Sequence, residues 1–144
     1  MPFRPYLAFA GNCREAFTRY KEVFGGELVL LTAADAPADA GPPPEGTAKD
    51  AIMHAALTNG DDLLMGADDT SGSFKGNVSG MCVNWSTADP TEAKRIFDAL
   101  AEGGEVQMPV GETFFSSAFG MCTDRFGTPW MIMADAPGPA ATAG

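Results

Sequence analysis

Two stretches of the chain carry the same order of apolar and polar positions, about half a chain length apart. In the first, apolar residues at helical spacing precede Gly25-Gly26, and a Leu- and Val-rich strand pattern follows. In the second, the same order surrounds Gly103-Gly104. This repeat predicts two similar modules, because a self-similar unit leaves an apolar face exposed until another unit covers it. We therefore expect the function to lie in a groove that the modules form together.

Both helices are predicted from an apolar stripe with a period near 3.6 residues. Asn12 can cap the first helix, and Asp89-Pro90-Thr91 starts the second with proline at a tolerated first-turn position. The glycine pairs then stop the helices. The two stripes consist of Ala16, Phe17, Tyr20, Val23 and Phe24, and of Ala93, Ile96, Phe97 and Leu100.

Short apolar or alternating runs predict four strands in each half. Turn residues at 59–61 and 124–127 predict the closing hairpins. Each half therefore has the order βαβββ, and the predicted fold is α+β, with two such modules forming a curved mixed sheet around a groove. The predicted strands span residues 5–10, 27–33, 50–58, 62–65, 78–86, 105–110, 115–123 and 128–133.

Residues 1–69 are assigned to the first module, 70–77 to a polar linker, 78–135 to the second module and 136–144 to a flexible C-terminal tail. The stretch from residue 34 to 49 is rich in Ala, Pro, Gly and Asp and has no periodicity. It predicts a loop, either a lid over a binding site or a plain surface excursion.

The charge, the apolar runs and the cysteine spacing of the sequence exclude several classes of binding partner. The 144 residues have a formal charge of −10, which would repel a phosphate backbone, so nucleic acid is not an expected partner. There is no signal-peptide pattern and no run of 18 apolar residues, so we expect no membrane association. Cys13, Cys82 and Cys122 form no C-x-x-C pair, which argues against a disulfide framework or a thiolate zinc site and favours a reducing cytoplasm.

His54 and Glu112 are the candidate catalytic residues. His54 is the only histidine, on a strand predicted to face the groove, where an imidazole would suit proton transfer. The alternative is a half-buried histidine that only bonds a neighbouring strand. Glu112 stands beside aromatic residues, where a carboxyl group can act as general acid or base, but it would equally fit a solvated turn.

Methionine and aromatic residues are abundant on the predicted strands. Alternation sends half of them into the groove, where a methionine-lined pocket would suit a small apolar or aromatic molecule. Core packing accounts for most of the individual residues equally well. The candidate ligand-binding residues are Phe9, Met81, Phe114, Phe115, Met131 and Met133.

The order and spacing of several motifs resemble the vicinal oxygen chelate superfamily, which includes glyoxalase I, bleomycin-resistance proteins and dioxygenases, and within it the PhnB-like branch. The resemblance implies the fold described above and a homodimer. These motifs are Pro5-Tyr6-Leu7, Gly11-Asn12-Cys13, Glu15-Ala16-Phe17 with Tyr20, Phe24-Gly25-Gly26-Glu27, Met53-His54-Ala55, Met108-Pro109, Glu112-Thr113-Phe114-Phe115, Phe119-Gly120-Met121 and the run from Thr123 to Ile132.

Metal-using members of that superfamily supply one ligand from each of four strands. The corresponding positions here are Pro5 or Tyr6, His54, Ser79 or Gly80, and Met131. Only His54 suits a divalent metal, and such a site takes three or four protein ligands. We therefore predict no metal site and no cofactor, with His54 a ligand only in a rebuilt site.

The sequence also lacks a phosphate-binding glycine loop and an adenosylmethionine-type loop, although relatives of this branch are sometimes described as ubiquinone-biosynthesis methyltransferases. The predicted function is glyoxalase-like binding of a small molecule without the usual metal quartet, with or without turnover. The alternative is a metal-dependent lyase, isomerase or dioxygenase, whose site would use His54, Glu112 and groups from the partner chain.

Overall fold

The computed structural model describes residues 3–35, 39, 48–71, 74, 78–114 and 116–134. The chain divides into two compact units, residues 1–76 and 77–144. The first unit contains β1 (Tyr6–Phe9), α1 (Cys13–Phe24), β2 (Glu27–Thr32), β3 (Ile52–Asn59) and β4 (Asp62–Asp68), with a 3-10 turn at Ala33–Asp35 after β2. The second contains β5 (Val83–Thr87), α2 (Pro90–Ala101), β6 (Glu105–Gly111), β7 (Ala118–Thr123) and β8 (Pro129–Ala134).

Each unit folds into one four-stranded mixed sheet with one helix. The strand order is β1-β4-β3-β2 in the first unit and β5-β8-β7-β6 in the second. In each sheet the first strand pairs in parallel with the last, and the other pairs are antiparallel. The predicted α+β class and the βαβββ order of both halves are confirmed.

The core of each unit lies between its helix and one face of its sheet. All four predicted stripe residues of α2 are buried, and α1 buries its stripe except for Phe24, which is half-buried. Close packing also requires glycine on the strands: a Cβ on Gly66 would lie 2.8 Å from Phe17 Cε1, and one on Gly120 would lie 2.7 Å from Phe97 Cε2. Each helix therefore seats an aromatic ring against a strand glycine.

The repeated glycine pairs follow the helices in both units. The first glycine of each pair has a positive φ: Gly25, at 78°, directly caps the end of α1, and Gly103, at 76°, follows Glu102, the residue that caps α2. The second glycine passes close to the third strand. A Cβ on Gly26 would lie 2.3 Å from Thr58 O, and one on Gly104 would lie 2.2 Å from the Thr123 carbonyl oxygen.

The two helices begin differently, and one prediction was wrong. Asp89 caps α2, since its carboxylate accepts a hydrogen bond from Thr91 N at 2.9 Å. Asn12 precedes α1, but its side chain makes no capping hydrogen bond. The distant Asp68 at the end of β4 accepts instead from Cys13 N at 2.9 Å. Tertiary structure thus supplies the acceptor that a local cap supplies in α2.

Some predicted strand limits also differ from the structure. The strand predicted from residue 78 begins at Val83, because Gly80 has a φ of 80° and interrupts the extended run. The strand predicted at 62–65 continues to Asp68. Most of the predicted loop at 34–49, part of the predicted linker, Phe115 and the predicted tail lie outside the described residues.

Candidate functional site

Each sheet has one face against its own helix and one face turned away from it, here called the open face. On the open face of the first sheet, strand pairing places four residues in one row across all four strands. Their order is Val29, Ala56, Met65 and Tyr6. Val29 is 52 % and Tyr6 is 53 % exposed, so this row combines an apolar surface with one phenol.

Tyr6 and His54 meet on this face. The Tyr6 hydroxyl lies 3.2 Å from His54 Nδ1, within hydrogen-bond distance, and the ring centroids are 5.8 Å apart. The strand between them, β4, carries the small Ala67 beside Ala8 of β1. Burial, followed by the nearby Cys13, raises the pKa of the Tyr6 hydroxyl, so the phenol stays protonated. The pair can therefore offer a ligand both donor and acceptor groups.

A bulge in β3 sets the position of His54. Leu31 pairs with His54 whereas the next residue, Thr32, pairs with Ile52, so one extra residue lies between them on β3. Ile52 is consequently buried, while His54 is half-buried on the open face. The other carboxylate oxygen of Asp68 accepts from Ile52 N at 2.9 Å. Asp68 therefore fastens both the start of α1 and the bulge beside His54.

A depression of about 410 Å³ lies at the β1 edge of the first sheet. It extends from the open-face residues Tyr6 and Ala67 to the turn after β4. Asp69 shapes that turn, accepting hydrogen bonds from Ser71 N and Phe74 N. The lining is mainly apolar and consists of Tyr6, Leu7, Ala8, Ala67, Asp68, Asp69 and Phe74.

The open face of the second sheet is rich in sulfur. Met108 pairs with Met121, Met121 pairs with Met131, and Met131 pairs with Asn84. We call Met108, Met121 and Met131 the methionine row. Met108 is 45 % exposed, and the other two are half-buried.

Polar groups border this row on both sides. Two residues beyond Met121 on β7, Thr123 pairs with Glu105, and its hydroxyl oxygen accepts a hydrogen bond from Gln107 Nε2 at 3.1 Å. Asn84 Nδ2 lies 3.3 Å from Met133 Sδ and donates to it, and Ser86 Oγ donates to Asn84 Oδ1 at 3.0 Å. Phe119 pairs with Met133 and is buried. The face thus combines thioethers, one aromatic ring and one amide whose orientation is held by two contacts.

The structure places the predicted site residues in several different environments. Met131 and Met133 lie on the open face of the second sheet. Phe9 is fully buried on the helix side of β1, in an edge-to-face contact with Phe17. Alternation along β1 puts Tyr6 on the open face and Phe9 in the core, so Phe9 has a packing role.

The remaining predicted residues lie outside regular strands. Met81 is 55 % exposed and precedes β5, because that strand starts later than predicted. Glu112 is exposed just after β6, and Phe114 is 96 % exposed. His54 and Glu112 belong to different units. The sequence did not predict the Tyr6–His54 contact. Its one local signal was alternation along β1, which places Tyr6 on the face of the sheet that Leu7 and Phe9 do not share.

The longest family motif, from Thr123 to Ile132, builds a hairpin. Asp124 is buried, and its carboxylate accepts hydrogen bonds from Phe126 N at 2.9 Å, Thr128 N at 3.0 Å and Trp130 Nε1 at 2.8 Å. These contacts hold the turn between β7 and β8. The turn of this motif therefore serves the fold of the second unit, whereas Met131, near its end, lies on the open face.

The thiols of the two buried cysteines, Cys13 and Cys122, are unreactive near neutral pH. Burial, followed by the charge of Asp68, raises the pKa of the Cys13 thiol to about 12. Burial and the charge of Asp124 do the same for Cys122, to about 12. A thiol is nucleophilic only as the thiolate, so neither residue is a nucleophile near neutral pH.

The donor set does not fit the four-ligand metal site of metal-using superfamily members. Among the described residues, no group of three or more His, Cys, Asp or Glu side chains could hold a metal ion. His54 has a phenol as its neighbour, and Met131 offers a thioether, which is a poor ligand for zinc or magnesium. No helix within the described ranges is long and apolar enough to cross a membrane.

Comparison with known proteins agrees with this architecture. A glyoxalase/bleomycin resistance protein/dioxygenase family enzyme from Burkholderia phytofirmans is 11 % identical, with a TM-score of 0.62, over 92 % of this chain and 96 % of that one. A likeness at this identity concerns the fold alone. The two units thus define a protein with the glyoxalase/bleomycin-resistance fold.

Closer relatives identify the branch. Protein PA1353 from Pseudomonas aeruginosa is 42 % identical, with a TM-score of 0.84, over 94 % of this chain and 98 % of that one. A putative 3-demethylubiquinone-9 3-methyltransferase, PhnB protein, from Bacillus cereus is 25 % identical, with a TM-score of 0.72, over 93 % and 99 %. Protein YjdN from Escherichia coli K12 is 37 % identical over 92 % of this chain and 94 % of its own length.

The family model described as 3-demethylubiquinone-9 3-methyltransferase matches residues 2–133. The chain belongs to this PhnB-like family, and its fold is that of glyoxalase/bleomycin resistance/dioxygenase proteins.

Proposed function

We propose that the protein binds a small apolar or aromatic molecule through the open faces of its sheets, without the metal quartet of metal-using superfamily members. The observation that carries this proposal is the Tyr6–His54 contact, with 3.2 Å between hydroxyl and imidazole on a mainly apolar sheet face. A binding site for a small organic molecule typically combines an apolar lining with a few placed polar groups. The first open face has this composition.

The contact between the two rings determines what a ligand would meet. When the Tyr6 hydroxyl donates to His54 Nδ1, the neutral imidazole carries its proton on Nε2 and presents a donor. When the ring has the other tautomer, Nδ1 donates to the hydroxyl and Nε2 becomes an acceptor. A ligand with one hydroxyl or carbonyl group on an apolar body would match either state.

The apolar surroundings supply the rest of the affinity. Val29, Leu31 and Met65 lie on the same face as the polar pair. Burial of apolar area contributes roughly 25 cal/mol per Å², so a bicyclic aromatic body would draw most of its binding free energy from these contacts. The polar pair would then select among apolar ligands.

Turnover is a separate part of the proposal. Glu112 is exposed after β6 and remains, in addition to His54, a candidate catalytic group. We also expect a homodimer, as the family resemblance implies. If the protein is an enzyme, Glu112→Gln should lower the reaction rate more than the ligand affinity.

A matched pair of probes tests the binding proposal. 1-Naphthol and naphthalene share an apolar body, but only 1-naphthol carries a hydroxyl. Wild-type protein should bind 1-naphthol in a saturable manner and more tightly than naphthalene. Tyr6→Phe and His54→Ala should each reduce this preference by roughly fivefold, the equivalent of a neutral hydrogen bond of about 1 kcal/mol.

Thr18→Ala, an exposed change on α1, is the control and should leave both affinities unchanged. Absence of saturable 1-naphthol binding, or an unaltered preference in both site variants, would overturn the binding proposal. The metal-free part is tested by elemental analysis after incubation with nickel, zinc, manganese and iron. Near-stoichiometric metal that is lost in His54→Ala would refute it.

A further inference from the structure

The methionine row is a cluster of ligating sulfur atoms, and the Tyr6–His54 contact that carries the proposed function does not account for its register. Its three thioethers stand on adjacent strands β6, β7 and β8 in direct cross-strand register. Directly opposed residues on antiparallel strands have Cβ atoms about 5 Å apart. Methionine has three rotatable side-chain bonds, so neighbouring sulfurs in such a row can turn toward one point.

We propose that the methionine row is a binding site for a soft monovalent metal ion, Cu(I), held by the Sδ atoms of Met108, Met121 and Met131. Thioethers are soft donors that select Cu(I) over the divalent ions preferred by carboxylate and imidazole. No change of oxidation state is involved, and the ion keeps its single positive charge.

The residues around the row favour this ion over harder ones. The row contains no carboxylate, and its last member, Met131, pairs with the neutral Asn84. Magnesium, calcium and manganese prefer oxygen ligands, and none of the three side chains of the row supplies one. The chain as a whole carries a formal charge of −10, which favours the approach of any cation.

Local geometry leaves one end of the row accessible at Met108. Register shifts on both sides of Met108 bulge β6, and such bulges re-aim side chains. Met108 is 45 % exposed and gives an ion a route of entry. The nearby Met133 is not part of the proposed site, because its sulfur already accepts a hydrogen bond from Asn84 Nδ2.

The cysteines are the competing soft ligands, and two of the three are buried away from the methionine row. Cys122 pairs with Trp130 on the helix side of the second sheet and is 1 % exposed. Cys13 is fully buried at the start of α1 in the other unit. Cys82 is half-buried just before β5 and is the thiol that the test must control.

The experiment is an anaerobic titration of the full chain with Cu(I), in competition with bicinchoninate. Wild-type protein should withdraw one Cu(I) per chain from the indicator. Met121→Leu removes the central sulfur while nearly conserving volume, so the fold should persist. Its Cu(I) affinity should fall by more than about tenfold, since even the loss of an outer-shell group commonly costs that much.

Two matched controls accompany it. Met65→Leu makes the same change on the first open face, where Val29, Ala56 and Tyr6 complete the row, and should leave the affinity unchanged. Cys82→Ala should also leave it unchanged. Silver(I), added to protein with 13C-labelled methionine methyl groups, should shift the signals of Met108, Met121 and Met131 more than the other methionine signals.

Three results would overturn the proposal: no withdrawal of Cu(I) by wild-type protein, loss of affinity in Cys82→Ala with retention in Met121→Leu, or equal losses in Met65→Leu and Met121→Leu. The proposal stands apart from the binding of apolar molecules. Naphthol binding can fail while Cu(I) binding succeeds, and the reverse also holds.

Discussion

The two units have the same βαβββ order, but buried or partly buried carboxylates stabilise them at different positions. The first unit relies on Asp68, whose carboxylate joins the start of α1 to the bulge in β3. The second relies on Asp124, whose buried carboxylate holds the β7–β8 turn and Trp130. A duplicated backbone thus tolerates different stabilising contacts, provided that each leaves the helix seated on its sheet.

The open faces differ even more than the contacts that hold the units. The first presents a phenol and an imidazole among aliphatic residues, and the second presents thioethers beside one amide. The helix-facing sides remain alike, since each seats an aromatic ring against a strand glycine. Packing against the helix constrains one side of each sheet, and the open side is less constrained by it. The open faces are therefore where the two units differ most in chemical composition.

The largest expected loss of stability follows from a change in the β7–β8 turn of the second unit, which the buried carboxylate of Asp124 holds. Asp124→Ala should lower the free energy of unfolding by about 4 kcal/mol, because three donors, two of them backbone amides, lose their acceptor inside the protein. Denaturant unfolding followed by tryptophan fluorescence measures this, and both tryptophans, Trp85 and Trp130, lie in the second unit.

The matched change is at the first unit's hairpin, where Asn59 Nδ2 donates to Phe24 O in an exposed contact. Asn59→Ala should cost no more than about 1 kcal/mol. Equal losses at the two hairpins would contradict the proposed difference between the units.

The next effect concerns a feature that the units share. Gly26→Ala and Gly104→Ala should each destabilise the protein by about 3 kcal/mol, because the new methyl group would meet a strand carbonyl oxygen at 2.3 Å and 2.2 Å. Gly26 also has a φ of 95°, so its substitution should cost at least as much as that of Gly104. Circular dichroism during urea unfolding provides the measurement.

Gly111→Ala is the control for this pair. Its Cβ would have no atom within 4 Å, so we expect a change near zero. A loss at Gly111 as large as that at Gly104 would remove the steric explanation.

The smallest expected effect compares the two helix starts. Asp68→Ala should cost about 2 kcal/mol, because two backbone amides in a partly buried setting lose a charged acceptor. Asp89→Ala removes one local cap and should cost about 1 kcal/mol. Asp61→Ala, an exposed change in the first hairpin, should be nearly neutral.

Asp68→Ala has a second readout. Asp68 bonds the bulge next to His54, so its loss should also weaken the preference for 1-naphthol over naphthalene, whereas Asp89→Ala should not. A preference that survives in Asp68→Ala would show that the bulge holds His54 without this carboxylate.

Much of the fold was predictable because its signals are local. Apolar stripes identified both helices, and the glycine pairs marked where the helices end. Asp89-Pro90 was recognisable as a start because an N-cap needs only neighbouring residues. The errors occurred where a distant group intervened: Asn12 resembled a cap, but Asp68 supplies the acceptor for Cys13 N.

The candidate site was predictable only in part. His54 could be chosen as the sole histidine, and alternation showed that Met131 and Met133 share one face of their strand. Phe9 is in the core because its parity on β1 is opposite to that of Tyr6. The parity was readable, but which side of the sheet a helix would cover was not.

By itself, the sequence determined the two βαβββ units, the helix faces, the glycine stops and the hairpin positions, because each depends on residues close together in the chain. Tertiary structure alone decided that Tyr6 meets His54, that Asp68 serves two distant amides and that three methionines form one row. These outcomes depend on strand order and on bulges that shift register, and a displacement of one residue sends a side chain to the other face.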